Sequence, residues 1–268
     1  MKRPLDQLTE IAQKAVAIGN DLIKHMRPQS ITEKSDRDTY TDVDVRIERK
    51  VRAYLAETTP EIGFIGEEEG ISDLTIDSEY VWLLDPIDGT ANFVHGIPLC
   101  AVQLALMFQN EAVVAAISLP YTDMHYHATK GMGAFRDGMR LRVSSGRELA
   151  KSIISIGDYA TGEKATEKNE TRMRLTSLLA EKVERIRMFG SAAHDLAWLA
   201  EGRTDAAVIL SNNTLDMAGG VLMAREAGAT VTNVAGDPYT IESQSMMAAT
   251  PGIIKDLNRI GATLAQRS

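Results

Sequence analysis

The chain contains 268 residues but a single cysteine, Cys100. One thiol forms no intramolecular disulfide and no cysteine-based metal site, so a reducing cytoplasm is the simplest compartment. Histidines are also few, five in all and mostly isolated, which points away from zinc. No apolar run approaches the length of a membrane span. The segment Met1 to Glu10 is polar and lacks the apolar core of a signal peptide. Basic residues are outnumbered, 29 Lys and Arg against 37 Asp and Glu, and the net charge is −8. Such a balance disfavours nucleic-acid binding, which needs positive charge against phosphate. It leaves a small phosphorylated metabolite open, because a bound cation inverts the local field. Neither an internal repeat nor a low-complexity segment is present.

What is present is ordinary core-forming material. The chain is 44% hydrophobic and 25% charged, enough for one large domain or two tightly joined layers. Leu8, Ile11, Ala15, Ile18, Leu22 and Met26 recur at helical spacing, and Pro28 ends that helix. The polar stretch Gln29 to Tyr40 reads as a loop. Thr41 is placed to cap a second helix marked by Val43, Ile47, Val51 and Leu55. Strands follow: 62–65, 80–84, 101–108, 112–119, 124–128 and 133–143, the last holding an Asp137-Gly138 turn. From about Ser144 the pattern alternates, with strands at 153–156, 184–188 and 206–210. Helices are expected at 169–182, 191–201, 217–227 and 253–265. Two helices, then mostly antiparallel strands, then an α/β half predict a layered α+β and α/β sandwich. The expected sub-domains are 1–143, carrying most of the acidic groups singled out below, and 144–268.

Four acidic features carry the chemistry. Gly66-Glu67-Glu68-Glu69-Gly70 follows a strand, Asp85-Pro86-Ile87-Asp88-Gly89-Thr90 ends another, Asp216 opens a helix, and Asp44 lies in the first turn of one. Taken singly, Glu67 to Glu69 is a solvated turn, Asp216 a helix cap and Asp44 half of a capping box. The Asp85 to Thr90 segment is harder to dismiss, because a plain turn needs no second aspartate. Carboxylates that converge at strand ends repel one another. They escape by taking up protons or by holding hard divalent cations such as Mg²⁺. His125 and His127 alternate on one strand and read as half-buried residues rather than ligands. His194-Asp195 lies on a helix where neighbours point apart, which suggests a structural or substrate-pocket role. Met246-Met247 reads as core packing.

Three segments together resemble the signature motifs of the inositol monophosphatase family: Phe64-Ile65-Gly66-Glu67-Glu68, Asp85 to Gly96, and Leu215-Asp216-Met217-Ala218-Gly219-Gly220. Gly190-Ser191-Ala192-Ala193 and Arg225-Glu226-Ala227-Gly228 also sit where that family has similar segments. The resemblance spans essentially the whole chain. It implies the layered αβαβα sandwich shared with fructose-1,6-bisphosphatase, and a phosphomonoesterase that uses two or three Mg²⁺ ions. Glu67 and Asp85 would hold the first metal with the Ile87 carbonyl. Asp85, Asp88 and Asp216 would hold the second, and Glu67 a weaker third through water. Asp44 and Thr90 would orient the attacking water, with Glu67 in the same catalytic set. Asp88, Gly89 and Thr90, with Gly190, Ser191 and Ala192, would bind phosphate and substrate. The resemblance further implies a homodimer and sensitivity to lithium.

The chain departs from that pattern in two places. Leu215 stands where the family usually has Trp, and Ile209 where many members place an inositol-contacting Glu. Inositol monophosphate is therefore the default substrate. Histidinol phosphate, a sugar or aminocyclitol phosphate, fructose 1,6-bisphosphate and a 3′-phosphoadenosine nucleotide are the alternatives. A phosphatase with a covalent aspartyl intermediate would need Asp-x-Asp, and Asp85-Pro86-Ile87-Asp88 is one residue longer. A partner-binding regulator with vestigial catalysis is the non-enzymatic rival.

Overall fold

The chain, seen here as a computed structural model, is described over residues 3–70 and 78–265. Helices α1 (Leu5–His25) and α2 (Asp42–Thr58) flank a hairpin of β1 (Ile31–Ser35) and β2 (Asp38–Thr41). Then come β3 (Gly63–Gly66), β4 (Tyr80–Asp88), the short α3 (Thr90–Val94), β5 (Ala101–Phe108), β6 (Glu111–Leu119), β7 (Met124–Thr129), β8 (Gly133–Arg136) and β9 (Met139–Arg140). The remainder is β10 (Ile153–Ile156), α4 (Ala165–Ala180), β11 (Arg185–Arg187), α5 (Ala192–Ala200), β12 (Ala206–Ile209), α6 (Thr214–Glu226), β13 (Thr230–Thr232), β14 (Met246–Ala249) and α7 (Ile254–Ala265).

A seven-stranded sheet runs in simple order from β3 to β9, antiparallel except for the parallel β3–β4 pair. A five-stranded sheet has the order β11-β10-β12-β14-β13. Five layers result. Helices α1 and α2 bury Leu8, Ile23, Ile47 and Leu55 against one face of the larger sheet. Helices α5 and α6 fill the space between the sheets, with Ala193, Ala197 and Met223 on one side and Leu196, Leu199 and Val221 on the other. Helices α4 and α7 cover the outer face of the smaller sheet through Leu175, Leu179, Leu257 and Ile260. A helix apolar on opposite sides must lie between two layers. This is why α6, apolar nearly all round, sits at the centre.

Two expectations are corrected, a loop and a helix start. Gln29 to Tyr40, read as a loop, contains the hairpin β1–β2. Strand β1 is exposed throughout, so it has no apolar alternation to betray it. Met246-Met247 packs in the core as expected, on β14, a central strand covered on both faces. Helix α6 starts at Thr214, not Met217, and its cap is Asn213, whose side chain accepts the Leu215 amide. Asp216 thus lies in the first turn and is not the cap.

Candidate active site

The site begins with a defect in β4. Asp85 pairs with Gln103 and Asp88 with Ala101, so three steps on β4 match two on β5. In a regular strand residues three apart face opposite ways. The extra residue turns both aspartates to one face. Pro86, which has no N–H to donate, sits within this irregular stretch where the ladder does not need it. Gly89, directly after Asp88, has φ of +88°, and a Cβ there would come within 2.9 Å of the Gly190 and Leu99 carbonyls. Only glycine fits, and it turns the chain into α3.

The other acidic groups arrive from neighbouring elements. Strand β3 pairs in parallel with β4, so Glu67 leaves Gly66 beside the Asp85 end of the sheet. Asp216 stands in the first turn of α6, where its Oδ1 accepts Asn213 Nδ2 at 2.8 Å. Asp44 serves two purposes. Its Oδ2 completes the capping box of α2, accepting the Thr41 amide at 2.8 Å and hydroxyl at 2.5 Å. Its Oδ1 faces the Thr90 hydroxyl at 3.4 Å, a hydroxyl that also reaches the Ile87 carbonyl at 2.9 Å. Asp88 Oδ2 accepts the Ser191 hydroxyl and the Ala193 amide, both at 2.6 Å, while among the described residues its Oδ1 has only the Ala192 amide at 3.3 Å. Gly190 is held next to the site by Asn92, whose amide donates to the Phe189 and Gly190 carbonyls. The first turns of α2, α5 and α6 therefore all face the acidic cluster, and their positive dipole ends partly offset its charge.

The electrostatics show that offset to be incomplete. Burial raises the pKa of Asp85 well above the carboxylate range, and the charges of Glu67, Asp88 and Asp216 raise it further. Asp216 is raised by burial and then by Asp88 and Glu67. Asp88 is pushed to about 6 by burial, against the hydrogen bonds from Ser191, Ala193 and Ala192. Asp44 is likewise pushed to about 6 by burial, against the Thr41 donors.

A divalent cation fits this donor set. Asp85 Oδ1 is buried and has no hydrogen-bond partner among the described residues. An oxygen so placed, among carboxylates that each suppress the other's ionisation, wants a hard cation. No three acidic or histidine side chains among the described residues already form a closed cage. Glu67 instead meets Lys34 of β1, whose ammonium reaches Glu67 at 2.8 Å and Glu68 at 2.7 Å. Burial works against the Lys34 ammonium, but these two bonds outweigh it and raise its pKa. A cavity of about 570 Å³ runs elsewhere, along α6 from Ala218 to Arg225, and no predicted site residue lines it.

Sequence reasoning missed three supporting residues. Glu48, fully buried on α2, accepts the Glu68 and Glu69 amides at 2.8 and 3.0 Å and is paired with Arg52 at 2.8 Å. It shapes the loop that carries Glu67. Its signal was an acid among the apolar positions of an amphipathic helix. Gln103 donates to the Asp216 carbonyl at 2.9 Å and to Asp85 Oδ2 at 3.4 Å, tying α6 to β4. Its signal was a lone amide in an apolar strand. Lys34 gave none. His125 and His127 hold α1 in place instead: Nδ1 of His127 meets Gln13 at 2.8 Å, and that of His125 meets Ser118, itself bonded to Asn20.

The inositol monophosphatase family profile matches residues 4–264. The inositol-1-monophosphatase ImpA of Mycolicibacterium smegmatis is 37% identical over 227 residues, covering 85% of this chain and 81% of that protein. The Nus factor SuhB of Vibrio cholerae is 35% identical over 224 residues, covering 84% of this chain and 82% of the relative. The crystal structure of the extragenic suppressor protein SuhB from Bartonella henselae superposes with a TM-score of 0.87 at 32% identity, covering 97% of this chain and 98% of the other. No helix among the described residues is long and apolar enough to cross a membrane.

Proposed function

This chain belongs to the inositol monophosphatase family and is a metal-dependent phosphoric monoester hydrolase; on that premise we propose that its substrate is an inositol monophosphate. The observation that carries the reading is the break in β4, which turns Asp85 and Asp88 to one buried face and leaves Asp85 Oδ1 without a hydrogen-bond partner among the described residues. Glu67, Asp85, the Ile87 carbonyl, Asp88 and Asp216 would hold two or three Mg²⁺ ions. Bound there, Mg²⁺ lowers the pKa of water and offsets charge on the transferring phosphoryl group.

The residues of the chain do the rest. Asp44 and Thr90 orient the attacking water, with Asp44 itself fixed by Thr41. Gly89 and Thr90 offer their amides to the phosphate. Gly190, Ser191 and Ala192 form the wall opposite Asp88, and two of them donate to it. No side-chain nucleophile takes part. The leaving-group side is apolar at Ile209, which packs among the core residues around α5 and α6, and at Leu215, which packs near Leu83 and Ala218. The two sub-domains, 1–143 and 144–268, meet at this site, the first supplying Asp44, Glu67, Asp85 and Asp88, the second Asp216 and Ser191. The enzyme acts as a cytoplasmic homodimer, and lithium inhibits it by taking a metal position.

The test is phosphate release from a panel of small esters, with chelator and then with Mg²⁺ restored. Turnover of inositol monophosphate that stops in chelator and returns with Mg²⁺ supports the reading. Full turnover in chelator refutes the metal assignment. Preference for histidinol phosphate, a sugar phosphate or a nucleotide phosphate refutes the substrate.

A further inference from the structure

Ser191 caps α5, but its hydroxyl is engaged on every side. It accepts the His194 backbone N–H at 3.3 Å, meets His194 Nδ1 at 2.9 Å, and lies 2.6 Å from Asp88 Oδ2. A hydroxyl has one proton and two lone pairs. Two oxygens 2.6 Å apart need a proton between them, and Ser191 supplies it to Asp88. Both lone pairs must then receive donors. The backbone N–H of His194 is one, so its Nδ1 is the other and carries a proton. The imidazole is fully buried, stands edge-on to Trp198 with ring centroids 5.3 Å apart, and its Nε2 has no partner among the described residues. Burial lowers its pKa to about 4, so the ring is neutral. One polar atom is thus left unsatisfied in the core, a cost that needs a return elsewhere.

We infer that His194 is a positioning residue for Asp88: its Nδ1–H fixes the Ser191 hydroxyl in the one orientation that donates to Asp88 Oδ2, and so leaves Oδ1 as the oxygen that would take a cation. The inference rests on the reading of Asp88 as a metal ligand. The asymmetry at Asp88 supports it, since Oδ2 takes two short bonds and Oδ1 a single long one. Without the imidazole donor the Ser191 proton can swing away, and the carboxylate loses both its orientation and a charge-assisted bond. Partners at this remove from a metal commonly tune its affinity. His194 acts through Ser191 and is none of the residues assigned to the cation or the phosphate, which separates it from the catalytic set.

The experiment uses the full-length protein without substrate. Nitrogen-15 spectra of the metal-free wild type, with His194 assigned by its loss in His194→Asn, should show a neutral ring protonated at Nδ1 and bare at Nε2. A ring protonated at Nε2 overturns the inference. Mn²⁺ binding, followed by electron paramagnetic resonance, should weaken by about tenfold in His194→Phe. That variant keeps the ring, its burial and the contact with Trp198. Binding should recover in His194→Asn, whose amide N–H lies near the Nδ1 position. Unchanged Mn²⁺ affinity in His194→Phe, together with weakened affinity in Asp88→Asn, overturns the inference alone. Unchanged affinity in both variants removes the metal reading of Asp88 and the inference with it. Should His194→Phe fail to fold, the tautomer of the wild type decides the matter by itself.

Discussion

Asp44→Asn should make the metal-free protein more stable while disabling the enzyme. The amide matches the carboxylate in shape. Its oxygen can take over both Thr41 donors now bound to Oδ2. Its NH₂ then faces Thr90 Oγ1, which can accept because its own proton goes to the Ile87 carbonyl at 2.9 Å. No hydrogen bond is forfeited, and a buried charge is removed. Asp44 is 1% exposed, and burial moves its pKa from 3.8 to about 6. The sign follows from linkage. Below the unfolded value of 3.8 the carboxyl is neutral in both states and imposes no penalty. As pH rises toward 6 the unfolded chain ionises first, so the folded state loses stability. Above 6 the whole penalty is present, about 3 kcal/mol for this gap. Relieving it should raise the melting temperature by about 6 to 12 °C at most, at about 2–4 °C per kcal/mol. The assay is thermal unfolding in chelator from pH 5 to pH 8, wild type against variant. The difference should grow between pH 5 and 6.5 and then level off. Phosphate release at saturating Mg²⁺ should fall by about 10²- to 10⁴-fold, mainly in kcat. A variant less stable than wild type at pH 8, or a difference independent of pH, refutes the assignment of a strained, buried carboxylate. A loss confined to KM refutes the water-orienting role.

Gly66→Ala would bring a Cβ within 2.1–2.5 Å of the Glu48 carboxylate. It should cost about 1–3 kcal/mol in urea unfolding and weaken metal binding by moving Glu67; a silent substitution would contradict the role given to Glu48. Asp216→Asn leaves the Asn213 cap of α6 intact. It should stay folded without metal yet lose most activity, and near-complete activity would remove Asp216 from the metal set. Leu215→Trp should change the ratio of kcat/KM between two phosphate esters and leave metal affinity alone, as measured by calorimetry; a shift in metal affinity with no change in preference would count against it.

The sequence by itself determined the elements with strong local signals. The apolar spacing in α1 and α2, the long apolar runs of β5 and β6 with the turns between the strands, and the capping box at Thr41 and Asp44 are all visible in the order of residues, because each is fixed within a few positions. The acidic motifs were legible for the same reason: Gly-Glu-Glu after a strand and Asp-Pro-Ile-Asp-Gly-Thr at the end of another are contiguous. The tertiary structure alone decided the rest. Strand β1 is exposed along its length and β2 is only partly buried, so no apolar alternation separates the hairpin from a loop. Strand β14 is covered on both sides and only four residues long, so it has neither alternation nor an apolar run long enough to mark a strand. Asp85 and Asp88 share a face only because β5 matches three steps of β4 with two of its own. Glu48, Gln103 and Lys34 meet site segments 18 or more positions away, and His194, although only three residues from Ser191, acts through it on the distant Asp88. A local pattern records which way a side chain points along its own element. It does not record what a different element will place against it, and that juxtaposition is what sets the charge, the orientation and the unpaired oxygen of the site.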